Sequence, residues 1–211
     1  MPLVIHAFPP SPRAFKVLLA ANHLEVDYTL KVVNLGAGDQ RTPEHTKLNV
    51  NQRMPVLEED GYVLWESNAI LEYLAAKRPQ SGMMPSDLRP RLQIAKWLYW
   101  ESAHWDQACA IIVFENVVKG LFGLGEPSAA EVERGRKLLD RLVKVLNAEL
   151  SIRPFVAGEA LTIADFSIAA PLCLHDRAQL KLDAFPNVER WMNRITALPA
   201  WQATLKMQSG G

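Results

Sequence analysis

The sequence predicts an α/β domain of order β-α-β-α-β-β-α followed by an all-helical domain, and three observations carry that prediction. Strand-like and helix-like periodicities alternate through the first eighty residues. Residues 78–90 then hold three prolines and a glycine in thirteen positions, the composition of an interdomain linker. Beyond the linker every periodic segment is helical. The expected boundaries are residues 1–78 for the α/β domain, 79–90 for the linker and 91–207 for the helical domain.

Each element has its own signal. Residues 3–8 read as a buried strand, and from Ser11 onward Ala14, Val17, Leu18, Ala21 and Leu24 recur at helical spacing. Residues 26–33 alternate and are rich in β-branched side chains; they lead through a loop with Gly36 and Gly38 into a short helical turn at 43–47. Two strands, 56–59 and 62–65, flank Asp60-Gly61, the dipeptide that best supplies the positive φ angles of a two-residue hairpin. Helical spacing resumes from 66 to 77 through Ile70, Tyr73 and Leu74.

After the linker, a long helix is predicted from about 91 to 120, ended by Gly120, Gly123 and Gly125. A second spans 128–150 behind a Ser128/Glu131 capping pattern. A third opens at Thr162, whose pairing with Asp165 three residues on has the form of a capping box and a structural rather than catalytic purpose. Shorter helices are expected at 188–197 and 199–206, with a frayed tail at 209–211.

Composition excludes several classes of function. Apolar residues make up 49% of the 211 and charged residues 22%, which removes disordered and low-complexity chains. Lys plus Arg and Asp plus Glu each total 23, so the basic excess of a nucleic-acid or anionic-membrane surface is missing. Cys109 and Cys173 have no metal-ligand or redox spacing, so no disulfide framework and no metal site is expected, and reduced thiols fit the cytoplasm. The apolar start of the chain is too short for a secretory leader, and the longest later apolar run, 108–114, is far below the roughly 20 residues that span a bilayer. The five histidines show no metal or triad arrangement and read as surface or satisfied core.

Three short segments can carry chemistry. Ser11-Pro12 starts the first helix, serine as N-cap and proline at the first helical position. Its hydroxyl either caps its own helix or holds an anion, such as a thiolate, at the positive helix end. Met54-Pro55 opens a strand, either as a trans edge proline or as a cis bond that turns the Met54 backbone toward a peptide-like ligand. Glu66-Ser67 stands where a strand gives way to a helix, so it serves as a cap or offers donors to a carboxylate. The predicted topology brings all three loops to one edge of the sheet.

In order and spacing these segments resemble the soluble glutathione S-transferases of the serine type, the phi- or theta-like members, over nearly the whole chain. Arg41-Thr-Pro-Glu-His-Thr-Lys-Leu-Asn49-Val-Asn-Gln-Arg-Met54-Pro55 is similar to that family's pattern of a basic residue, Pro-Glu, Asn and a hydrophobe before Pro. Trp65-Glu66-Ser67-Asn68-Ala69-Ile70 is similar to its Glu-Ser-x-Ala-Ile segment, and Gly158-Glu-Ala-Leu-Thr162-Ile-Ala-Asp165 to the folding signature of its helical domain.

The resemblance implies a thioredoxin-like amino-terminal domain and a cytoplasmic, homodimeric detoxification enzyme that joins glutathione to small hydrophobic electrophiles. Ser11 would hydrogen-bond the glutathione sulfur. Met54, before Pro55, would pair with the cysteinyl backbone, Glu66 and Ser67 would hold the γ-glutamyl end, and Arg41, with Gln40 as the weaker candidate, the glycine carboxylate. Arg53 fills a place where serine-type members carry glutamine or lysine. Phe8, Trp105, Cys109 and Ile112 would line the electrophile pocket. No tyrosine precedes Tyr28 and both thiols lie in the helical half, which disfavours the tyrosine and cysteine types. Pro12 departs from an ideal anion site, because it removes one backbone N–H beside Ser11. The alternatives are a non-catalytic glutathione-binding adaptor, a glutathione-dependent peroxidase, or a disulfide reductase.

Overall fold

The computed structural model describes residues 2–182 and 184–208, so the tail expected to fray at 209–211 lies outside the described residues. The chain divides into two compact units, residues 1–84 with 198–211, and residues 85–197.

The first unit is built on a four-stranded sheet. Strands β1 (Val4–Ala7), β2 (Thr29–Val32), β3 (Val56–Glu59) and β4 (Tyr62–Trp65) lie in the order β2-β1-β3-β4. The β1–β2 pair is parallel, and β1–β3 and β3–β4 are antiparallel. Helix α1 (Pro12–His23) makes the crossover, α2 (Pro43–Leu48) precedes β3, and α3 (Ser67–Ala76) follows β4, so the predicted β-α-β-α-β-β-α order is observed. Asp60 and Gly61 at the hairpin tip have φ of 50° and 80°, the two positive angles a tight turn with right-handed strand twist demands. Helix α1 is buried all round from Ala14 to Ala21, because α3 packs against it within the same unit.

The ends of the predicted domains shift. The final helices follow α4 (Leu88–Trp100), α5 (Asp106–Val113), α6 (Lys119–Phe122), α7 (Ala129–Glu149), α8 (Ile163–Ala169), α9 (His175–Ala178) and α10 (Pro186–Thr196), and the last is α11 (Pro199–Met207). The sequence places 199–206 with the helical domain, yet α11 groups with the first unit. The reason is packing on α1. Trp201 meets Phe15 edge to face at 4.7 Å, and the Asn22 amide donates to the Thr204 hydroxyl at 2.8 Å.

In the second unit, helix begins at Leu88, inside the expected linker, since Pro90 falls in the first turn where no backbone N–H is required. Helical backbone continues to Phe122 through two π-helical turns, Glu101–Trp105 and Phe114–Val118. Gly120 lies within α6, and the chain turns only at Gly123, where φ is +64°. Helices α5 and α7 pack closely at Gly135, where an added Cβ would sit 2.7 Å from Ile112 Cγ1. The Thr162/Asp165 signature is buried and fully used: the Asp165 carboxylate accepts from the Thr162 and Val156 N–H groups, the Thr162 hydroxyl and the Trp191 indole, at 2.9 to 3.1 Å. Among the described residues no helix is long and apolar enough to cross a membrane.

Candidate active site

Strand register decides which residues can act together. Ala7 at the end of β1 pairs with Val32 at the end of β2, His6 pairs with Val56 at the start of β3, and Val56 pairs with Trp65 at the end of β4. The segments that leave β1, β2 and β4, and the one that enters β3, therefore meet at one edge of the sheet. Phe8, Ser11, Gln40, Arg41, Arg53, Met54, Pro55, Glu66 and Ser67 all belong to those segments.

At this edge the helix starts are prepared but left unspent. Ser11 has the extended backbone of an N-cap, and its carbonyl accepts from Phe15 N–H at 2.8 Å, yet its hydroxyl makes no capping bond. This hydroxyl, on a half-buried residue, stands at the positive end of α1 without capping that helix. Glu66, the residue before α3, is exposed with φ of 73°, a conformation uncommon outside glycine and concentrated at functional positions. Ser67 begins α3 and is buried.

The third segment is held from behind. The Met54-Pro55 bond is cis. The Arg53 carbonyl just before it is held by His45 Nε2 at 2.9 Å and by the Asn49 amide at 3.0 Å. His45 and Asn49 are buried and stand four residues apart, one within α2 and the other at its C-cap, so the end of this short helix presents both to the same carbonyl. Sequence reasoning gave neither a role beyond motif or core; their spacing of four on a helix ending just before the proline loop was the available signal. Arg41 and Arg53 carry exposed side chains, whereas Gln40 Oε1 is buried without a hydrogen-bond partner.

A further polar side chain escaped the sequence reading. Lys16 lies within the apolar run of α1, is 2% exposed, and donates from Nζ to Asn68 Oδ1 at 2.8 Å. Nothing in the local pattern signals it, because its partner is 52 residues away.

Three of the four side chains assigned to an electrophile pocket sit differently from that expectation. Trp105, Cys109 and Ile112 are buried by helix packing. The Trp105 indole donates to the Ile168 carbonyl at 2.9 Å and stacks on Trp100, and Ile112 faces Gly135 of α7. Burial also pushes the Cys109 thiol well above its ordinary range, the opposite of an activated nucleophile. Their surfaces are consumed inside the second unit, and a pocket wall needs open surface. Phe8 remains half-exposed. Among the described residues no group of three or more His, Cys, Asp or Glu side chains is placed to hold a metal ion.

The architecture has relatives. The glutathione S-transferase amino-terminal domain matches residues 1–76, and the glutathione S-transferase carboxyl-terminal domain matches residues 90–199. The chain belongs to the glutathione S-transferase family. It is similar to glutathione S-transferase D7 of Drosophila melanogaster, 31% identical over 99% of this chain and 91% of that protein. The disulfide-bond oxidoreductase YfcG of Escherichia coli is 32% identical over 96% of this chain and 95% of that one. Among solved structures, glutathione transferase F7 from Populus trichocarpa superposes with a TM-score of 0.90 at 26% identity, covering 98% of this chain and 99% of the other. The family membership extends to both halves of the chain, so the predicted thioredoxin-like and helical parts are those of one known architecture.

Proposed function

We propose that this family member binds glutathione at the sheet edge and transfers its thiolate to small hydrophobic electrophiles, with Ser11 donating a hydrogen bond to the sulfur. The observation that carries the proposal is the hydroxyl of half-buried Ser11, at the start of α1 and engaged in no capping bond. A free thiol ionises near pH 8.5, so little of it is thiolate at neutral pH; a helix N-terminus and a donated hydrogen bond both lower that value. The thiol proton goes to solvent. The sulfur lone pair then forms a C–S bond while the electrophile's leaving group departs or its double bond takes up the charge, a step that calls for no covalent enzyme intermediate.

Around that sulfur, the Met54 backbone would pair with the cysteinyl unit, Glu66 and Ser67 would bind the γ-glutamyl end, and Arg41 the glycine carboxylate, with Gln40 and Arg53 flanking it. The buried, unpartnered Gln40 Oε1 supports a polar ligand in that loop. A homodimer acting in the cytoplasm completes the proposal. Its support is an apolar stripe on α4, where Leu88, Leu92 and Tyr99 are all exposed and recur at helical spacing.

The test is steady-state conjugation of an activated aryl halide by wild type and Ser11→Ala. Removing a hydrogen bond to a charged atom costs about 1.5–3 kcal/mol, so kcat/KM should fall roughly 10- to 100-fold. Equal rates in the two proteins, or no turnover despite glutathione binding, would overturn the assignment and leave a binding module. The similarity to a disulfide-bond oxidoreductase favours one second reading, glutathione-dependent disulfide reduction. A mixed-disulfide substrate turned over faster than the aryl halide would select it.

A further inference from the structure

We infer that Lys16 and Asn68 form an internal clamp that sets the spacing between the two helix starts of the glutathione site. This rests on the reading that Ser11 serves the sulfur and Ser67 the γ-glutamyl end. Lys16 lies five residues past Ser11, so about 7.5 Å along the α1 axis. Asn68 is the residue after Ser67, in the first turn of α3. The 2.8 Å bond from Lys16 Nζ to Asn68 Oδ1 therefore ties the helix that carries the hydroxyl to the helix that receives the other end of the ligand.

The chemistry of the clamp argues for a purpose beyond packing. The residues around Lys16 on α1, from Ala14 to Ala21, are otherwise apolar and buried, and a leucine or methionine there would fill the same space without desolvating an ammonium group. A buried charge is a poor way to gain stability. It does give direction, because it anchors only where a correctly placed acceptor meets it. Asn68 is half-buried, with its side-chain oxygen turned inward to that ammonium. Lys16 is 2% exposed, so it is a positioning residue that acts through Asn68 and the first turn of α3.

A positioning role has a kinetic signature. With the clamp broken, α3 no longer presents Ser67 at the right distance, and glutathione binds less well in ground state and transition state alike. Asn68→Ala should raise KM for glutathione about 10-fold, leave kcat at saturating glutathione within about twofold, and leave KM for the electrophile unchanged. Asn68→Asp keeps an oxygen acceptor for the ammonium and should stay within about twofold of wild type. Lys16→Met should reproduce the Asn68→Ala effect, and the double variant should be no worse than either single one.

Several results overturn the clamp: Asn68→Ala lowering the melting temperature with KM unmoved, Asn68→Asp failing to rescue, or the two substitutions multiplying in the double variant, which would mean that Asn68 acts alone. If Lys16→Met fails to fold, the Asn68 pair still decides between these outcomes. Ser67→Ala, measured in parallel, separates the two layers of the reading. A KM raised by Ser67→Ala and unmoved by Asn68→Ala overturns the clamp alone, whereas a KM unmoved by Ser67→Ala overturns the placement of the γ-glutamyl end at α3 and the clamp with it.

Discussion

Two serines stand at the starts of long helices in this molecule, and they spend their hydroxyls differently. Ser128, in the second unit, accepts from the Glu131 N–H at 3.4 Å, and its own N–H donates to the buried Glu115 carboxylate at 2.6 Å. Ser11, in the first unit, has the same extended backbone and makes no side-chain capping bond. At Ser128 and Asp165 the second unit closes its polar groups upon themselves, four donors meeting on the Asp165 carboxylate, although Trp97 Nε1 and Arg136 Nε are buried there without a hydrogen-bond partner. At the sheet edge of the first unit, polar groups are left for something else: the Ser11 hydroxyl, the buried Gln40 oxygen and the positive-φ backbone of Glu66. Ser128 and Asp165 spend their polar atoms on folding the chain, whereas those at the sheet edge are held ready.

The largest test of that contrast is Asp165→Ala. It would strand the Val156 and Thr162 N–H groups, the Thr162 hydroxyl and the Trp191 indole in the interior, each at a cost of about 1–3 kcal/mol where no water replaces the carboxylate. A total loss of at least about 3 kcal/mol would lower the melting temperature by roughly 6–12 °C for a chain of this length. The protein that remains folded should conjugate substrate with unchanged KM for glutathione. A variant with normal thermal stability and altered turnover would break the division of labour between the two regions.

How much of this was legible in the sequence follows the range of the interactions. The hairpin was readable because Asp60-Gly61 acts on its own backbone, and the meeting of the loops at one edge followed from the order of strands. The start of α4 was misplaced because Pro90 looks like a breaker unless it is known to sit in the first turn. The passage through Gly120 was missed for a related reason: a helix tolerates glycine at moderate cost when packing supports it. Whether Ser11 caps was undecidable from sequence, since a serine before a helix fits both uses and only the side-chain geometry separates them. Lys16 was invisible as a site residue because its partner Asn68 lies 52 residues away, whereas the spacing of His45 and Asn49 before the proline loop was a local signal that points to the Arg53 carbonyl. The pocket assignment on the long helix was the least constrained by sequence, because aromatic and aliphatic residues at helical spacing look the same whether they line a wall or fill a core.

A smaller effect sharpens the serine comparison directly. Ser128→Ala removes a long capping bond and should cost about 0.5–1 kcal/mol, a drop of roughly 1–4 °C in melting temperature, with activity unchanged. Ser11→Ala has no capping bond to lose and should melt within about 1 °C of wild type while losing activity. Paired thermal melts read this out. If Ser11→Ala destabilised the protein as much as Ser128→Ala, its hydroxyl would be working for the helix and the contrast would fail.

The smallest expected effect lies at the far end of β3, where the first unit behaves like the second. The Glu59 carboxylate receives both the Lys77 ammonium at 2.7 Å and the Tyr73 hydroxyl at 2.6 Å, and these bonds, Lys77 first, hold it below the usual carboxylate range. The carboxylate in turn pushes Tyr73 up to about 12. For Glu59 the unfolded chain takes up its proton first, so the stability it confers is complete above about pH 4.3 and disappears as the pH falls through the lower folded value. For Tyr73 the sign reverses: its contribution is complete below about pH 10 and is lost as the pH rises through about 12. Glu59→Gln should therefore cost about 1 kcal/mol at neutral pH, a gap that closes in acid because the wild-type carboxyl becomes neutral too. Denaturant melts of both proteins across the acid range measure that gap. A gap that stayed constant as the carboxyl protonated would assign Glu59 to packing, and the charge-assisted bonds at this end of the sheet would then contribute nothing of their own.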